Sequence, residues 1–145
     1  MQSYRNEAGN FSFSHPPEWE VRARDVRTNL KAPGDAAVMS IGPLSAGSLE
    51  SASDELLTAL RDGYERVRVS RRQDSSVGDL PARAVAGRAV NERGARLRFL
   101  VIAIEAPEGC FGITVFTPET SDPATVLPPA QAIVSSFRVL DQPAD

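Results

Sequence analysis

"ARAVAGRAVNERGARLRFLVIAIEAPEGCFGITVFT", residues 82–117, decides the fold. Glu92-Arg93-Gly94 and Pro107-Glu108-Gly109 are turn sequences, and they divide the stretch into three extended runs, residues 82–91, 96–105 and 110–117. Turns this short join antiparallel neighbours, so the stretch predicts a meander. In its middle run Leu97, Phe99 and Val101 share one face, while Leu100, Ile102 and Ile104 share the other. Both faces of the sheet are therefore partly apolar. Two helices cover one face well, and the second needs a curled sheet, the Pro128-Pro129 segment or another molecule.

Upstream, Leu49, Ala52, Leu56, Leu57, Leu60 and Tyr64 fall at helical spacing and predict a helix over residues 48–64. Ser51 with Asp54 has the form of a capping box, and Gly63 is a natural stop. Residues 66–72 alternate basic and apolar, which predicts a strand with Arg66, Arg68 and Arg72 on one face. Arg71 then points with Val67 and Val69. Asp79-Leu80-Pro81 reads as a break before the meander. Downstream, Asp122-Pro123 opens a second helix, as a cap residue followed by a first-turn proline. Ala130, Ile133, Val134 and Phe137 continue its apolar stripe, while Pro128-Pro129 predict an interruption or restart. Residues 138–140 read as a short closing strand and residues 141–145 as a tail.

The N-terminal part begins with Phe11 and Phe13 on one strand face. His15-Pro16-Pro17 then removes two backbone donors and sets a corner. Trp19, Val21 and Ala23 alternate with charged residues in a second strand, and residues 36–41 form a third. Phe11, Phe13, Trp19, Leu56, Leu60, Phe99, Phe111 and Phe137 are the expected core. Strands, a helix, a meander and a helix, without an internal repeat, predict one α+β domain over residues 1–140.

At 145 residues the chain is long enough to bury one substantial core. Its longest apolar run, residues 99–104, is far short of the ~18 residues that span a bilayer. Met1 is followed by polar residues, so the sequence as written reads as cytoplasmic; a leader removed upstream would make the protein periplasmic or lipoprotein-anchored instead. Cys110 is the only cysteine, which excludes an internal disulfide. A net charge of −3 argues against a general polyanion binder, and no aromatics interleave with the arginines of residues 66–72 to make a nucleic-acid platform. Fifteen arginines stand against the single Lys31, a bias that genome composition explains more readily than anion recognition.

No set of residues has catalytic spacing. His15 is the single histidine, wedged before two prolines and without a nucleophile elbow elsewhere. One histidine and one cysteine do not make a zinc site, and the carboxylate pairs Glu18/Glu20, Asp54/Glu55 and Glu105/Glu108 lack calcium-loop spacing. Phosphate-binding loops are absent, and Cys110 opens an apolar strand as a half-buried thiol. The expectation is no catalytic residue, no metal and no cofactor. One feature rises above this background: Arg66, Arg68 and Arg72, joined by Arg96 and Arg98 on the meander. If their strands are neighbours they expose a cationic face. With Leu100 and Ile102 beside them, these residues are the expected contact surface for another protein or, as a two-fold dimer, a second copy.

Three stretches carry a resemblance to the PsbP/DcrB-like family: "YRNEAGNFSFSHPPEWEV" (residues 4–21), "VGDLPARAVAGRAVNERGARLRF" (77–99), and "FGITVFTP" followed by "AIVSSFRVL" (111–118 and 132–140). The resemblance implies an antiparallel sheet sandwiched by helices, in proteins that mostly bind other proteins and lack enzymatic activity. Among such proteins are photosystem accessory proteins, a nuclear-import cofactor, bacterial lipoproteins, and adaptors that chaperone type VI secretion effectors. Length and the early first strand are similar to the adaptor branch, whereas residues 19–34 depart from its pattern. The implied function is a non-enzymatic binding module, an adaptor or chaperone for a secreted effector, with an exported ligand-binding lipoprotein as the alternative.

Overall fold

A computed structural model describes residues 1–140; the expected tail, residues 141–145, lies outside the described residues. The meander forms as its turns predict. β7 (Leu80–Val90), β8 (Arg96–Ala106) and β9 (Gly109–Pro118) pair antiparallel, and β6 (Glu65–Val77) joins β7. β3 (Glu20–Arg24), β4 (Arg27–Lys31) and β5 (Val38–Pro43) extend the other side, giving a seven-stranded sheet in the order β3-β4-β5-β9-β8-β7-β6. β1 (Gln2–Asn6), β2 (Phe11–His15) and β10 (Arg138–Val139) form a separate three-stranded sheet with β2 at its centre. The expected α+β class holds, as a single domain.

The Pro16-Pro17 corner has a purpose in this arrangement. β2 and β3 belong to different sheets, so the chain must leave one ladder before entering the other. Two residues without N–H groups make that exit without orphaning a donor. The turn closes with Trp19 N–H donating to the Pro16 carbonyl at 3.1 Å. His15 is buried, with Nδ1 2.8 Å from the same carbonyl.

α1 (Leu49–Gly63) carries the chain from β5 across one face of the large sheet to the far edge. Its Ala52, Leu56, Leu57 and Leu60 pack against Val85, Ala89, Phe99 and Val101. The cap is Ser48, whose side chain accepts from Ser51 N–H at 3.2 Å, and not the expected Ser51–Asp54 box. A second partner comes from the sheet: Glu105 accepts the Leu49 N–H at 3.0 Å, placing a carboxylate at the positive end of the helix.

The opposite face holds the larger core. Phe11 and Phe13 from the small sheet, with Ala130, Ile133 and Phe137, cover Ile102, Ile104, Phe111, Ile113 and Val115. The last three of the covering residues lie on or just beyond α2 (Pro123–Ser136), whose cap Asp122 accepts the Ala124 N–H at 3.0 Å. Pro128 and Pro129 do not interrupt this helix. The carbonyls they leave without an intrahelical donor belong to Ala124 and Thr125, which are exposed and open to water. The small sheet and α2 are thus the missing cover for the second face.

Three further differences separate expectation from structure. β1 and β4 lie where no strand was expected. Leu80-Pro81 is not a break, because β7 starts at Leu80 and the turn is Gly78-Asp79. β6 runs to Val77 rather than ending at residue 72.

Candidate binding surfaces

β6 is thirteen residues long and lies at the edge of the seven-stranded sheet, with β7 as its only neighbour among the described strands. Its pairing with β7 slips twice, between Glu65 and Arg68 and between Val69 and Arg71. Arg66 has φ of 51°, a left-handed conformation that an arginine adopts only where its neighbours impose it. The slips reverse the expected phase. Arg68 pairs with Arg88 and Arg71 with Ala86, so both point to the side of the small sheet. Arg72 pairs with Val85 and points to the side of α1, as does Val69 opposite Gly87.

The strands bearing the two expected arginine groups are not neighbours, since β7 lies between β6 and β8. β7 supplies the link itself: Arg68, Arg88 and Arg98 stand opposite one another in a continuous cross-strand row. Arg88 donates to the Glu119 carboxylate at 3.1 Å. Arg98 is consumed by the loop after β9, donating to the carbonyls of Glu119 at 2.9 Å, Ser121 at 3.2 Å and Pro118 at 3.4 Å. Arg96 is exposed at the start of β8, opposite Val90.

Of the seven expected contact residues, Arg66, Arg68, Arg72 and Arg96 are exposed and make no ion pair or side-chain hydrogen bond among the described residues. Leu100 is half-buried against the larger core. Ile102 is 6% exposed and lies inside that core beneath the small sheet, so it offers no surface to a partner. The argument for an uncovered apolar face fails with it: among the described residues the exposed large apolar side chains are Met1, Val26 and Val38.

Arg71 belongs to the basic edge and lies on the face opposite to the one that simple alternation predicts, away from Val67 and Val69. Residues 70–76 contain no apolar side chain at all, a signal that this strand could only lie at an edge. Asp74 on the same strand is held by Arg83 at 2.8 Å and neutralises none of the others.

Two concave regions complete the surface. At one end of the sandwich the β1–β2, β6–β7 and β8–β9 turns and β10 enclose a cleft of about 720 Å³. Val77, Phe111 and Phe137 line it, with Asp79 and Glu108 at the turns. Arg138, also in its wall, spends its guanidinium on the carbonyls of Ser135 and Phe137 at 2.9 and 2.6 Å. On the other side, the part of the sheet beyond α1 leaves a hollow of about 570 Å³ over Asn29, Ser40 and Thr114. The stacked rings of Tyr64 and Phe116, with centroids 4.7 Å apart, border it. Its cations are neutralised, Arg22 by Glu20 and Lys31 by Asp35.

Cys110 is buried, and burial pushes its thiol above the ordinary range, with Glu105 and Glu55 adding to the effect. A thiol held protonated is a poor nucleophile. Among the described residues no three histidine, cysteine or carboxylate side chains are grouped to hold a metal ion, and no helix is long and apolar enough to cross a membrane.

No family model matches the sequence, and no curated protein matches it. Solved structures do. The solution structure of cyanobacterial PsbP (CyanoP) from Synechocystis is similar over 95% of this chain and 91% of its own, with TM-score 0.67 and 13% identity. The Ran-binding protein Mog1p of Saccharomyces cerevisiae is similar over 97% and 95%, with TM-score 0.64 and 15% identity. A Pseudomonas aeruginosa protein of unknown function, described as a putative regulator, matches over 99% of both chains at TM-score 0.61 and 18% identity. A Bacteroides thetaiotaomicron structure matches at TM-score 0.65, and this chain spans about half (49%) of its length. At these identities the likeness is one of fold: the chain has a PsbP-like fold.

Proposed function

We propose that the protein is a non-enzymatic accessory module that binds another protein through the basic edge of its large sheet. One observation carries the reading. A chain of net charge −3 gathers Arg66, Arg68, Arg71 and Arg72 on one exposed strand, and none of them has an ion-pair partner among the described residues. An isolated surface cation usually finds a nearby carboxylate or is diluted among others. Four left free on one strand form a local positive field that steers and orients an acidic surface. Arg96 extends that field along the neighbouring meander. Mog1p, described as Ran-binding, is a protein of the same fold with a protein partner, which supports the reading by analogy.

The finer role, an adaptor or chaperone for a secreted effector in the cytoplasm, rests on the length and the early first strand, which are similar to the adaptor branch of the PsbP/DcrB-like family. A second reading, an exported ligand-binding domain, draws on the 720 Å³ cleft at the turn end.

The test is capture of proteins from the native host by wild type and by an Arg68→Glu/Arg72→Glu variant, with Arg96→Glu added in a third. Loss of a specific protein from the variants supports the reading. Equal capture by all three removes the arginines from function. Saturable stabilisation by a small molecule, abolished by a Val77→Trp change in the cleft, would favour the second reading.

A further inference from the structure

We infer that the outer edge of β6 accepts an extended acidic segment of a partner protein as an eighth strand of the large sheet. This rests on the protein-binding reading above and specifies how the partner is held. After its second slip, β6 pairs regularly with β7 from Arg71↔Ala86 to Val77↔Leu80. On that stretch alternate residues turn both N–H and C=O away from β7, and no described strand meets them. An unpaired edge of this length is a template for a further strand.

What may add is decided by charge. Long edges are commonly guarded by charged side chains and bulges, and β6 carries both. Beyond Glu65, whose side of the ladder lies before the slips, and Asp74, which Arg83 holds, the charges of this guard are all positive. Arg68 and Arg71 project on one side of the sheet and Arg72 on the other, so an incoming strand meets free cations on both its faces. A basic or neutral strand is repelled or gains little there. A strand bearing glutamate or aspartate gains cross-strand charge pairs on each face in addition to main-chain hydrogen bonds. The opposite edge lacks this character: β3 has five residues, and Arg22 is already paired with Glu20. No aromatic side chain lies along β6, which disfavours a stacked nucleic-acid strand.

The experiment compares two fluorescein-labelled eight-residue peptides rich in glutamate, threonine and valine, identical except that one is N-methylated at alternate residues. Both carry the same charge, but the methylated peptide cannot donate along one edge. The unmodified peptide is expected to bind, and the methylated one about tenfold more weakly or worse, as loss of several main-chain hydrogen bonds requires. Arg71→Glu/Arg72→Glu should weaken binding by a similar factor and Arg71→Lys/Arg72→Lys should largely keep it. Both residues are exposed, and thermal melts check that the variants fold. On binding, alternate amides in residues 71–77 should exchange more slowly. Equal binding of the two peptides would reduce the surface to simple charge attraction, and no binding by either would end the inference. Concentration-dependent dimerisation that protects the same amides would make a second copy the occupant and likewise overturn it. A protein captured through the arginines but not displaced by the peptide would leave the binding reading standing without strand addition. Absence of arginine-dependent capture would remove the reading itself.

Discussion

Ser136 Oγ accepts the backbone N–H of Ser14 at 2.8 Å, joining the last turn of α2 to the central strand of the small sheet across 122 residues of sequence. The same hydroxyl lies 3.2 Å from the Ser14 carbonyl and 2.7 Å from that of Ile133. These bonds fix how α2 and β2 together close over the large sheet. Ser136→Ala leaves the partly buried Ser14 N–H without a partner. It should lower stability by about 1–3 kcal/mol, the cost of an unsatisfied buried donor. A denaturation midpoint equal to wild type would show that water replaces the hydroxyl at no cost.

Trp19 is 6% exposed and belongs to the larger core, immediately after the proline corner. Trp19→Ala removes an indole that packed neighbours cannot fully replace, and should cost about 3–5 kcal/mol. Chemical denaturation measures this directly. A loss below about 1 kcal/mol would mean that the corner, rather than the ring, secures the passage between sheets.

The buried thiol and one tyrosine predict the alkaline behaviour. Cys110 is raised above 9.0 by burial, then by Glu105 and Glu55; Tyr64 is raised above 10.0 by burial, then by Glu92. In both cases the folded state holds the proton more tightly than the unfolded chain does. Their contribution is therefore complete below the unfolded values, and is lost as pH rises through the folded ones. The denaturation midpoint should fall as pH rises above about 9, and Cys110→Ala should reduce the early part of that fall. Thiol labelling at pH 8 should be slow in the native protein and fast in denaturant; comparable rates would contradict the burial of Cys110.

The fold was legible where a period was long and single. The meander and α1 show theirs plainly, and Glu92-Arg93-Gly94 and Pro107-Glu108-Gly109 mark the turns. β1 and β4 escaped because they are short and mostly polar: Asn6 is the one buried residue of β1, and Thr28 and Leu30 are those of β4. The burial of Asn6 is satisfied locally by the Gly9 N–H, which its Oδ1 accepts at 2.8 Å, and at a distance by Thr28 Oγ1 at 2.9 Å and the Asp25 carbonyl at 3.1 Å, to which its Nδ2 donates. Which strands share a sheet was likewise set by contacts far apart in sequence. The basic character of β6 was legible, but its faces were not, because one bulged residue shifts every later side chain to the other side.

Gly87 shows what allows that bulge. It stands opposite Val69 on β6 and Phe99 on β8. A Cβ at this position would run into the Arg68 carbonyl oxygen, and would stand 2.7 Å from the Phe99 ring. Neither neighbour yields easily, since one is backbone and the other is 3% exposed in the core beneath α1. The glycine therefore matters for space, letting the irregular part of β6 settle onto β7 where a side chain would hold it away. Gly87→Ala should destabilise by about 1–3 kcal/mol through overpacking. It should also speed amide exchange across residues 66–72 and weaken any binding that depends on Arg68 and Arg71, because the displaced segment carries both. Gly47→Ala is the control, as nothing lies within 4 Å of a Cβ added there, and it should leave the midpoint unchanged. If Gly87→Ala matches that control in stability and exchange, the close seating of β6 on Gly87 is wrong, and the assignment of Arg68 and Arg71 to one side of the sheet falls with it.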